Sequence, residues 1–369
     1  MRNLRKGVIV AGGTGGHVYP ALEVARKFRK NDYLIHWVGG DNSLERKICL
    51  EEEIKFEAIK TMGFRNKNFL DKIFSIGLLI VSFIHCLFFL KRIRPEFIFC
   101  CGGYITLGPG LASFILRIPL FIHEQNSIPG TANKILARLA NGIFEGFQSS
   151  FAEKFEAQFV GNPVRPEIEL ADSKISHKKS LKEKEKEKEN FCLLVLGGSQ
   201  GSSQLNSIII EALVEIKEIK NCKIIHQSGS QDLERLRKFY SLLNTDHKVA
   251  SFIKDIGKAY LEADLVISRA GAMTVSELIV MQKPSILLPL PWATDNHQQS
   301  NAEYLKNIGA CEVIISQKEN VPELEKVLRE LIVDNKRRLS MSNAAKLAHL
   351  PNTTEKIFTT VNESIKKIS

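Results

Sequence analysis

The chain has 369 residues, more than a single hydrophobic core ordinarily needs, and this length favours two domains. Hydrophobic residues make up 44% of it and charged residues 25%, a balance that excludes a disordered chain. The formal net charge of +10 favours an acidic partner, such as nucleic acid, an anionic membrane or a phosphorylated substrate, and does not choose among them.

The cysteine and acidic-residue patterns favour a reduced, metal-free protein. The seven cysteines include no C-x-x-C pair and lie mostly in apolar runs, which predicts reduced core thiols and a cytoplasmic chain. The first apolar run, Val8–Val10, is too short for a secretory signal. The sequence has neither His/Cys spacing typical of zinc nor an Asp-x-Asp, and it predicts no metal and no cofactor.

Short apolar segments that end in glycine or polar residues alternate with segments long enough for a helix. The strand candidates are GVIVAGG, YLIHWVGG, PEFIFCCGG, PLFIHEQN, FCLLVLGG, CKIIHQSG, ADLVISRAG and PSILLPLP. This alternation predicts an α/β fold with open parallel sheets covered by helices on both faces. Because such sheets bind ligands at the carboxyl ends of their strands, the functional residues are expected directly after each strand.

The chain repeats itself loosely, which predicts two tandem doubly wound domains. VIVAGGTGG begins the first half and LLVLGGSQG the second, with Gly12 and Gly197 separated by 185 residues. The predicted domains are residues 1–163 and 191–350, and a tail helix over about 351–369 is expected to pack back on the first domain. Residues 164–190 are predicted to be a linker that carries a Lys/Glu-rich insertion at Lys178–Glu189.

One apolar segment has no ordinary place in this pattern. Ile73–Leu90 contains no Asp, Glu, Lys or Arg in 18 residues, so as a helix it would be roughly 27 Å long. Basic residues flank it, namely Lys67, Lys72, Lys91, Arg92 and Arg94. A buried helix, a spanning helix and an exposed helix that dips into an anionic membrane all remain open, and the flanking charge favours the last.

Three glycine-rich or polar turns follow strands in the first half. GGTGGH lacks the lysine of a Walker loop and fits only half of a dinucleotide fingerprint, but its glycines and the following helix predict an anion site with His17 at its rim. CGGYITLGPG and HEQNSIPGTAN follow the next two strands and extend this site. The alternatives are that His17 only caps the helix, and that the His and Glu of HEQN only satisfy backbone groups.

The second half carries three comparable turns. GGSQG offers Ser199 as a hydroxyl donor, and SRAGAMTVSE leads into a helix start suited to a diphosphate. Glu277 at the end of that motif could accept both hydroxyls of a ribose, or could only stabilise the helix dipole. The amides of DNHQQSNA could bind sugar hydroxyls, or could only begin a polar helix.

Together these motifs closely resemble the MurG family, the peripheral membrane glycosyltransferases of family 28. The matching stretches occur in the family's order along nearly the whole chain and are GGTGGHVYPAL, GGYITLGPG, HEQNSIPGTAN, GNPVR, GGSQG, HQSG, AGAMTVSE and DNHQQSNA. The resemblance implies a GT-B fold of two Rossmann-like domains facing across a cleft. It also implies inverting transfer of N-acetylglucosamine (GlcNAc) from UDP-GlcNAc to the 4-hydroxyl of the muramyl sugar of lipid I, which gives lipid II.

The resemblance also assigns roles to individual residues. It implies that the second domain contacts UDP through Ser199, Ile253, Ala272, Met273, Thr274, Val275, Ser276 and Glu277. It places Arg165 near the uracil, Glu277 on the ribose and Gln298 on the sugar. It adds donor contacts from the first domain by Thr14, Gly15, Gly16 and Asn126, with His17 as the first candidate for the catalytic base and Glu124 as the second.

The implied partners are UDP-GlcNAc, lipid I, an anionic membrane surface that meets Ile73–Leu90, and other cell-wall synthesis proteins; nucleic acid is not among them. The implied location is the cytoplasmic face of the cell membrane. This chain departs from the family in its Lys/Glu insertion and in its unusually apolar Ile73–Leu90 segment. Three rival functions remain: a diacylglycerol glycosyltransferase, a UDP-GlcNAc epimerase, and a non-catalytic subunit that binds nucleotide sugars.

Overall fold

The computed structural model describes residues 5–60, 69–179, 191–198, 201–290 and 296–368, with backbone alone at 69–74, 173–179 and 318. The chain divides into two compact units. The first unit is Met1–Val164 with Leu350–Ser369, and the second is Arg165–His349. The domain boundaries predicted from the sequence are residues 163, 191 and 350.

The first unit is built on a seven-stranded parallel sheet. Its strands are β1 (Arg5–Val10), β2 (Tyr33–Gly40), β3 (Lys55–Ile59), β4 (Phe97–Cys100), β5 (Leu120–Glu124), β6 (Gly142–Glu145) and β7 (Gln158–Phe159), in the order β3-β2-β1-β4-β5-β6-β7. The chain therefore winds outwards in both directions from β1. The topological switch point lies between β1 and β4, where ligands bind in folds of this class.

Helices cover both faces of this sheet. They are α1 (Gly15–Arg29), α2 (Leu44–Glu51), α3 (Phe69–Ile93), α4 (Leu107–Ile115), α5 (Thr131–Leu136) and α14 (Thr353–Ile368). One face packs α1 and α14 around Phe28, Trp37 and Phe97, all fully buried. The other face packs α3, α4 and α5 against Val10, Ile98 and the remaining alternate positions of the strands. This two-sided burial explains why the central strands read as continuous apolar runs.

The C-terminal helix α14 belongs to the first unit. Ile357, Val361 and Ile365 recur every four residues and are buried in the core beside α1, so they form one apolar helix face. Thr353 Oγ1 donates to the carbonyl of Val160 at 2.8 Å at the start of this helix. The last twenty residues are thus part of the first unit, although the whole second unit precedes them in the chain.

The second unit repeats this architecture with a six-stranded parallel sheet. Its strands are β8 (Phe191–Leu196), β9 (Cys222–Gln227), β10 (Asp246–Ala250), β11 (Leu265–Ser268), β12 (Ser285–Leu287) and β13 (Cys311–Val313), in the order β10-β9-β8-β11-β12-β13. The helices are α6 (Pro166–Lys179), α7 (Ser203–Val214), α8 (Leu233–Leu243), α9 (Ile256–Glu262), α10 (Ala272–Val280), α11 (His297–Asn307), α12 (Val321–Val333) and α13 (Asn335–Ala348). The switch point lies between β8 and β11.

Part of the stretch that the sequence analysis assigned to a linker is the helix α6. Ile168 and Ala171 of this helix are buried in the second unit. A Cβ atom at Gly257 of α9 would lie 2.4 Å from the carbonyl oxygen of Glu167, so the backbones of α6 and α9 are packed directly against each other. The early residues of α6 are therefore part of the domain. Most of the Lys178–Glu189 insertion lies outside the described residues.

The apolar segment Ile73–Leu90 lies in the long helix α3, and the structure separates its two sides. Cys86, Phe89 and Leu90 are buried in the core, whereas Ile80 is 52% and Phe88 72% exposed. Over Ser75–Ile93 the helix is long and apolar enough to cross a bilayer, with a mean hydropathy of 2.0. A fully buried helix is therefore the wrong interpretation, and the core contacts of the C-terminal half do not fit a helix surrounded by lipid.

Candidate active site

In the first unit, the predicted glycine turns follow β1 and β4, which are neighbours in the sheet. After β1, Gly13 has φ of +95°, Thr14 is an exposed N-cap, and Gly15 and Gly16 begin α1. The Thr14 side chain does not cap the helix, so the first backbone N–H groups of α1 remain directed at this turn. This arrangement is a typical anion site made from a glycine turn and a helix N-terminus.

His17 lies between the two glycine turns. Its Nδ1 is 3.3 Å from the carbonyl oxygen of Gly12, and only a protonated nitrogen can donate to a carbonyl. In the neutral imidazole the proton is therefore on Nδ1, and Nε2 carries the free lone pair. A Cβ added at Gly102 would lie 3.4 Å from Nε2, so the second turn passes directly over the ring. The ring is half-buried and holds its basic nitrogen at the strand ends.

Glu124 is held by four donors, which argues against a role as a base. One carboxylate oxygen accepts from the backbone N and the Nδ2 of Asn126, at 2.9 and 3.0 Å. The other accepts from the backbone N of Gly130 at 3.0 Å and from Asn133 Nδ2 at 2.8 Å. Because Glu124 is 2% exposed and both oxygens are occupied, its geometry is that of a residue that shapes the loop around Asn126.

The second unit supplies a matching glycine turn after β8. Gly198 and Gly201 have φ of +88° and +81°. A Cβ at Gly201 would lie 2.6 Å from the carbonyl oxygen of Ser228, so this turn packs against the HQSG turn that follows β9 with no room for a side chain. Ser199, predicted as the hydroxyl donor, lies outside the described residues.

The helix α10 begins without a side-chain cap at the end of the neighbouring strand β11. Its N-cap is Gly271, so the first N–H groups, those of Ala272, Met273 and Thr274, are available to an anion. Met273 and Thr274 are partly exposed, whereas Val275 is buried. Ser276 Oγ donates to the carbonyl of Ala272 at 2.9 Å, so its hydroxyl is used within the helix.

Glu277 is paired with Arg165. Arg165 Nε and Nη2 donate to Oε1 of Glu277 at 3.0 and 2.7 Å, and Tyr260 donates to Oε2 at 3.1 Å. Burial raises the pKa of Tyr260 well above its usual value, so its hydroxyl stays protonated and remains a donor. The carboxylate is fixed in one orientation, with acceptor capacity left on Oε2. Sequence reasoning missed Tyr260, whose only signal was a polar aromatic residue in a buried helix.

Arg269 is a buried cation at the end of β11, beside the glycine turn that follows β8. Sequence reasoning did not select it as a site residue. Its guanidinium donates to Ser202 Oγ at 2.8 Å and to the carbonyl of Leu288 at 2.9 Å. It is 6% exposed, and burial lowers its pKa to about 10. No carboxylate pairs with it among the residues that the structure describes. It therefore keeps its charge at neutral pH and makes this turn attractive to an anion.

Two amide side chains organise the remaining turns. Gln227 bridges the glycine turn and the predicted contact Ile253, since it donates to the carbonyl of Gly198 at 2.7 Å and accepts from the backbone N of Ile253 at 2.9 Å. Gln298 accepts from the backbone N of Leu290 at 3.0 Å, which leaves its amide NH2 to donate. Gln227 was also missed as a site residue, although it stands in the HQSG motif.

Among the described residues, no three His, Cys, Asp or Glu side chains are grouped as metal ligands would be. The features found at the strand ends are instead glycine turns, uncapped helix starts and the guanidinium of Arg269.

Comparison with known proteins identifies the family. The N-terminal domain of glycosyltransferase family 28 matches residues 8–145, and its C-terminal domain matches residues 192–357. A relative from Stutzerimonas stutzeri (strain A1501) is 36% identical over 352 residues, which cover 95% of this chain and 96% of the relative. The chain belongs to the MurG family of glycosyltransferase family 28. That relative is named a UDP-N-acetylglucosamine–N-acetylmuramyl-(pentapeptide) pyrophosphoryl-undecaprenol N-acetylglucosamine transferase.

Solved structures agree with the family. The crystal structure of Acinetobacter baumannii MurG matches with a TM-score of 0.80 and 27% identity, and covers 97% of this chain and 99% of that one. The predicted resemblance and the predicted GT-B fold are thus confirmed. The UDP-GlcNAc 2-epimerase of Neisseria meningitidis, bound to UDP-GlcNAc, matches with a TM-score of 0.65 over 97% of this chain and 100% of its own. At 15% identity that likeness shows a shared fold alone.

Proposed function

We propose that this chain transfers GlcNAc from UDP-GlcNAc to the 4-hydroxyl of the MurNAc of lipid I, with inversion, and so makes lipid II. The observation that carries the proposal is the 36% identity along 95% of the chain to a relative with this named activity. Both glycine-turn sites expected of such an enzyme occur in the one chain. A non-catalytic nucleotide-sugar-binding subunit would have no need of both.

The donor is bound by the second unit. The diphosphate accepts hydrogen bonds from the uncapped start of α10 and from the turn at Gly197–Gly201, with Arg269 nearby as a buried positive charge. The ribose hydroxyls bind Glu277, whose Oε2 retains acceptor capacity, and Arg165 lies near the uracil. The amide NH2 of Gln298 donates to a hydroxyl of the GlcNAc. As the bond to UDP breaks, these same donors stabilise the charge on the leaving diphosphate.

The acceptor is activated by His17 in the first unit. Its Nε2 takes the proton of the muramyl 4-hydroxyl while the hydroxyl oxygen attacks the anomeric carbon of GlcNAc, and UDP departs from the opposite face. The hydrogen bond from Nδ1 to Gly12 fixes the tautomer that this step needs. Glu124 holds the Asn126 loop and takes no proton.

We assign the exposed face of α3 to the membrane, which makes the chain a peripheral protein of the cytoplasmic face of the cell membrane. Five large apolar side chains are exposed on this helix, namely Ile76, Ile80, Val81, Ile84 and Phe88. Phe114 and Ile115 of α4 are also exposed, and the exposed basic residues are Lys91, Arg92, Arg94 and Arg117. Apolar residues beside cations suit the surface of an anionic bilayer, in which lipid I resides.

An enzyme that makes lipid II takes part in peptidoglycan synthesis. Loss of the enzyme would then impair cell-wall growth, and with it cell shape and division. Other cell-wall synthesis proteins are candidate partners, because lipid II is consumed by further enzymes at the same membrane.

Incubation of the protein with labelled UDP-GlcNAc and a lipid I analogue in anionic vesicles tests the function. Transfer of label to the analogue supports the proposal. Transfer to diacylglycerol, or isomerisation of the sugar without transfer, would instead support a diacylglycerol glycosyltransferase or an epimerase. Binding of UDP-GlcNAc without turnover would leave a non-catalytic binding subunit.

A further inference from the structure

Four buried polar residues of the second unit form a continuous hydrogen-bonded chain, which we call the Tyr240 chain. The Tyr240 hydroxyl is 2.8 Å from Nδ1 of His226, and Nε2 of His226 is 3.0 Å from Oδ1 of Asn206. Asn206 Nδ2 then donates to Asp232 at 2.8 Å. Tyr240, His226 and Asn206 are fully buried. Burial of so many polar groups is costly unless each is satisfied, so the network specifies one arrangement.

The donor and the acceptor of every hydrogen bond in the Tyr240 chain can be assigned by starting from Asn206. Asn206 Nδ2 faces two oxygen acceptors, Asp232 Oδ2 and the carbonyl of Ser228, so its Oδ1 must face His226. Oδ1 can only accept, and Nε2 of His226 must therefore carry the proton. Nδ1 is then the acceptor, and Tyr240 donates to it. Burial lowers the pKa of His226 to about 3, so the ring stays neutral at physiological pH.

The Tyr240 chain ends at the backbone of the donor site. Asn206 Nδ2 donates to the carbonyl of Ser228 at 2.9 Å, and that carbonyl is the group against which Gly201 packs. Asn206 also lies in the first turn of α7, directly after the glycine turn. One side chain thus ties the start of α7 to the HQSG turn, and the glycine turn lies between them.

We propose that Tyr240 and His226 are positioning residues for the diphosphate of the nucleotide donor. They act through Asn206, whose Oδ1 accepts from His226, and so hold the start of α7 and the carbonyl of Ser228 in the positions against which Gly201 packs. The inference rests on the proposed function, because it assumes that a UDP-sugar binds at this turn. Tyr240 does not belong to the family motifs from which the site was first predicted, whereas His226 is the first residue of HQSG.

The variant Tyr240→Phe removes only the hydroxyl and leaves the ring in place. His226 then loses the donor at Nδ1, so a buried acceptor is left unsatisfied and the ring is no longer held in its position beside Asn206. We expect UDP to bind about tenfold more weakly, the change that loss of one buried hydrogen bond brings. Uridine, which lacks the diphosphate, should bind with unchanged affinity. Both dissociation constants can be measured by ligand-detected NMR on the full-length protein.

The control is Ile209→Val, which lies on α7 in the same core and is fully buried. It removes one methyl group and should lower the melting temperature without changing the ratio of the UDP and uridine affinities. If the ratio of the UDP affinity to the uridine affinity falls equally in both variants, the Tyr240 chain has a purely structural role and the inference is overturned.

A spectroscopic signature separates the proposal from general destabilisation. Long-range ¹H–¹⁵N correlation of the histidine rings should show His226 as the Nε2–H tautomer, with no titration between pH 5 and 8. In Tyr240→Phe the tautomer should be kept, because Asn206 still accepts from Nε2–H, but the ¹⁵N resonance of Nδ1 should shift because its hydrogen bond is lost; Ile209→Val should leave that resonance unchanged. An Nδ1–H tautomer in the wild-type protein would reverse the deduced bond directions and overturn the proposal. If wild-type protein binds neither UDP nor UDP-GlcNAc, the proposed function fails first, and the two failures are thereby distinguished.

Discussion

Arg165 and Glu277 are 112 residues apart in the chain and share two hydrogen bonds, at 3.0 and 2.7 Å, to one carboxylate oxygen. Arg165 is the first residue of the second unit, and Glu277 lies in α10. Burial alone would lower the pKa of Arg165, but the carboxylate raises it above its usual value. Such a pair keeps the carboxylate of Glu277 oriented before a nucleotide arrives, which lowers the entropy cost of binding.

Replacement of Glu277 by Gln should weaken UDP-GlcNAc binding by about tenfold to a hundredfold, because a charged acceptor of the ribose hydroxyls is lost. The dissociation constant can be measured by calorimetry. The matched control is Glu262→Gln, which breaks the surface pair with Lys223 and should leave donor affinity unchanged. An unaltered affinity in Glu277→Gln would contradict the ribose assignment.

His17 can be tested as the base by two substitutions. His17→Ala should lower turnover by about 10² to 10⁴ with little effect on UDP-GlcNAc affinity, because general base catalysis is lost. His17→Asn can still donate to the carbonyl of Gly12, as Nδ1 does now, but has no basic nitrogen. We expect both variants to be equally slow in single-turnover assays. Recovery of turnover in His17→Asn would show that His17 only positions the glycine turn.

The membrane assignment is tested on two exposed apolar residues of α3. Ile80→Glu and Phe88→Glu should release the protein from anionic vesicles in sedimentation assays, because each places a charge at an apolar contact. Leu79 and Phe83, equally apolar in sequence, are partly buried against the core and would confound binding with folding. Leu242→Glu, at an 87% exposed leucine of α8, is the control and should stay bound. Retention of the α3 variants on vesicles would remove this helix from membrane contact.

The first unit should lose stability in mild acid through His123. Burial lowers the pKa of His123 to about 4 from an ordinary value of 6.5, so between these values the unfolded chain binds a proton that the folded chain does not. The free energy of unfolding should therefore fall by about 1.4 kcal/mol per pH unit from pH 6.5 to 4 from this group. His123→Gln, whose amide can still donate to Gly161, should show a smaller acid slope in denaturant titrations. His247→Gln, at a half-buried histidine of β10, is the control. Equal slopes in the wild-type protein and His123→Gln would contradict the prediction.

Much of the fold was predictable because its signals are local. All eight predicted strand segments contain strands, since buried parallel strands are short runs of apolar residues that end at glycine or polar turns. The five strands that were missed are β3, β6, β7, β10 and β13, and each is short or lies at or next to an edge of its sheet. There one side can be polar, so the apolar run that marks a buried strand is broken; the exposed lysine and aspartate of β3 and β10 are examples.

The predicted linker over residues 164–190 did not include the helix α6, for a related reason. Its first residues, PEIELA, alternate two acidic side chains with apolar ones, and two prolines precede or begin them. Ile168 and Ala171 are core residues only because α6 packs against α9 and α10 in the folded unit. Charge composition alone could not distinguish this helix from the Lys/Glu-rich run that follows it.

The sequence by itself determined the two doubly wound domains, the family and the turns at which ligands bind, because strand-ending glycines and helix starts are encoded by neighbouring residues. Tertiary structure decided which side chains those turns share. Only the fold brings Tyr260 to Glu277, Asn133 to Glu124, and the glycines of a second turn beside the imidazole of His17. Those contacts join residues far apart in the chain or on different elements, and the physical reason is that hydrogen-bond partners are chosen by distance in space.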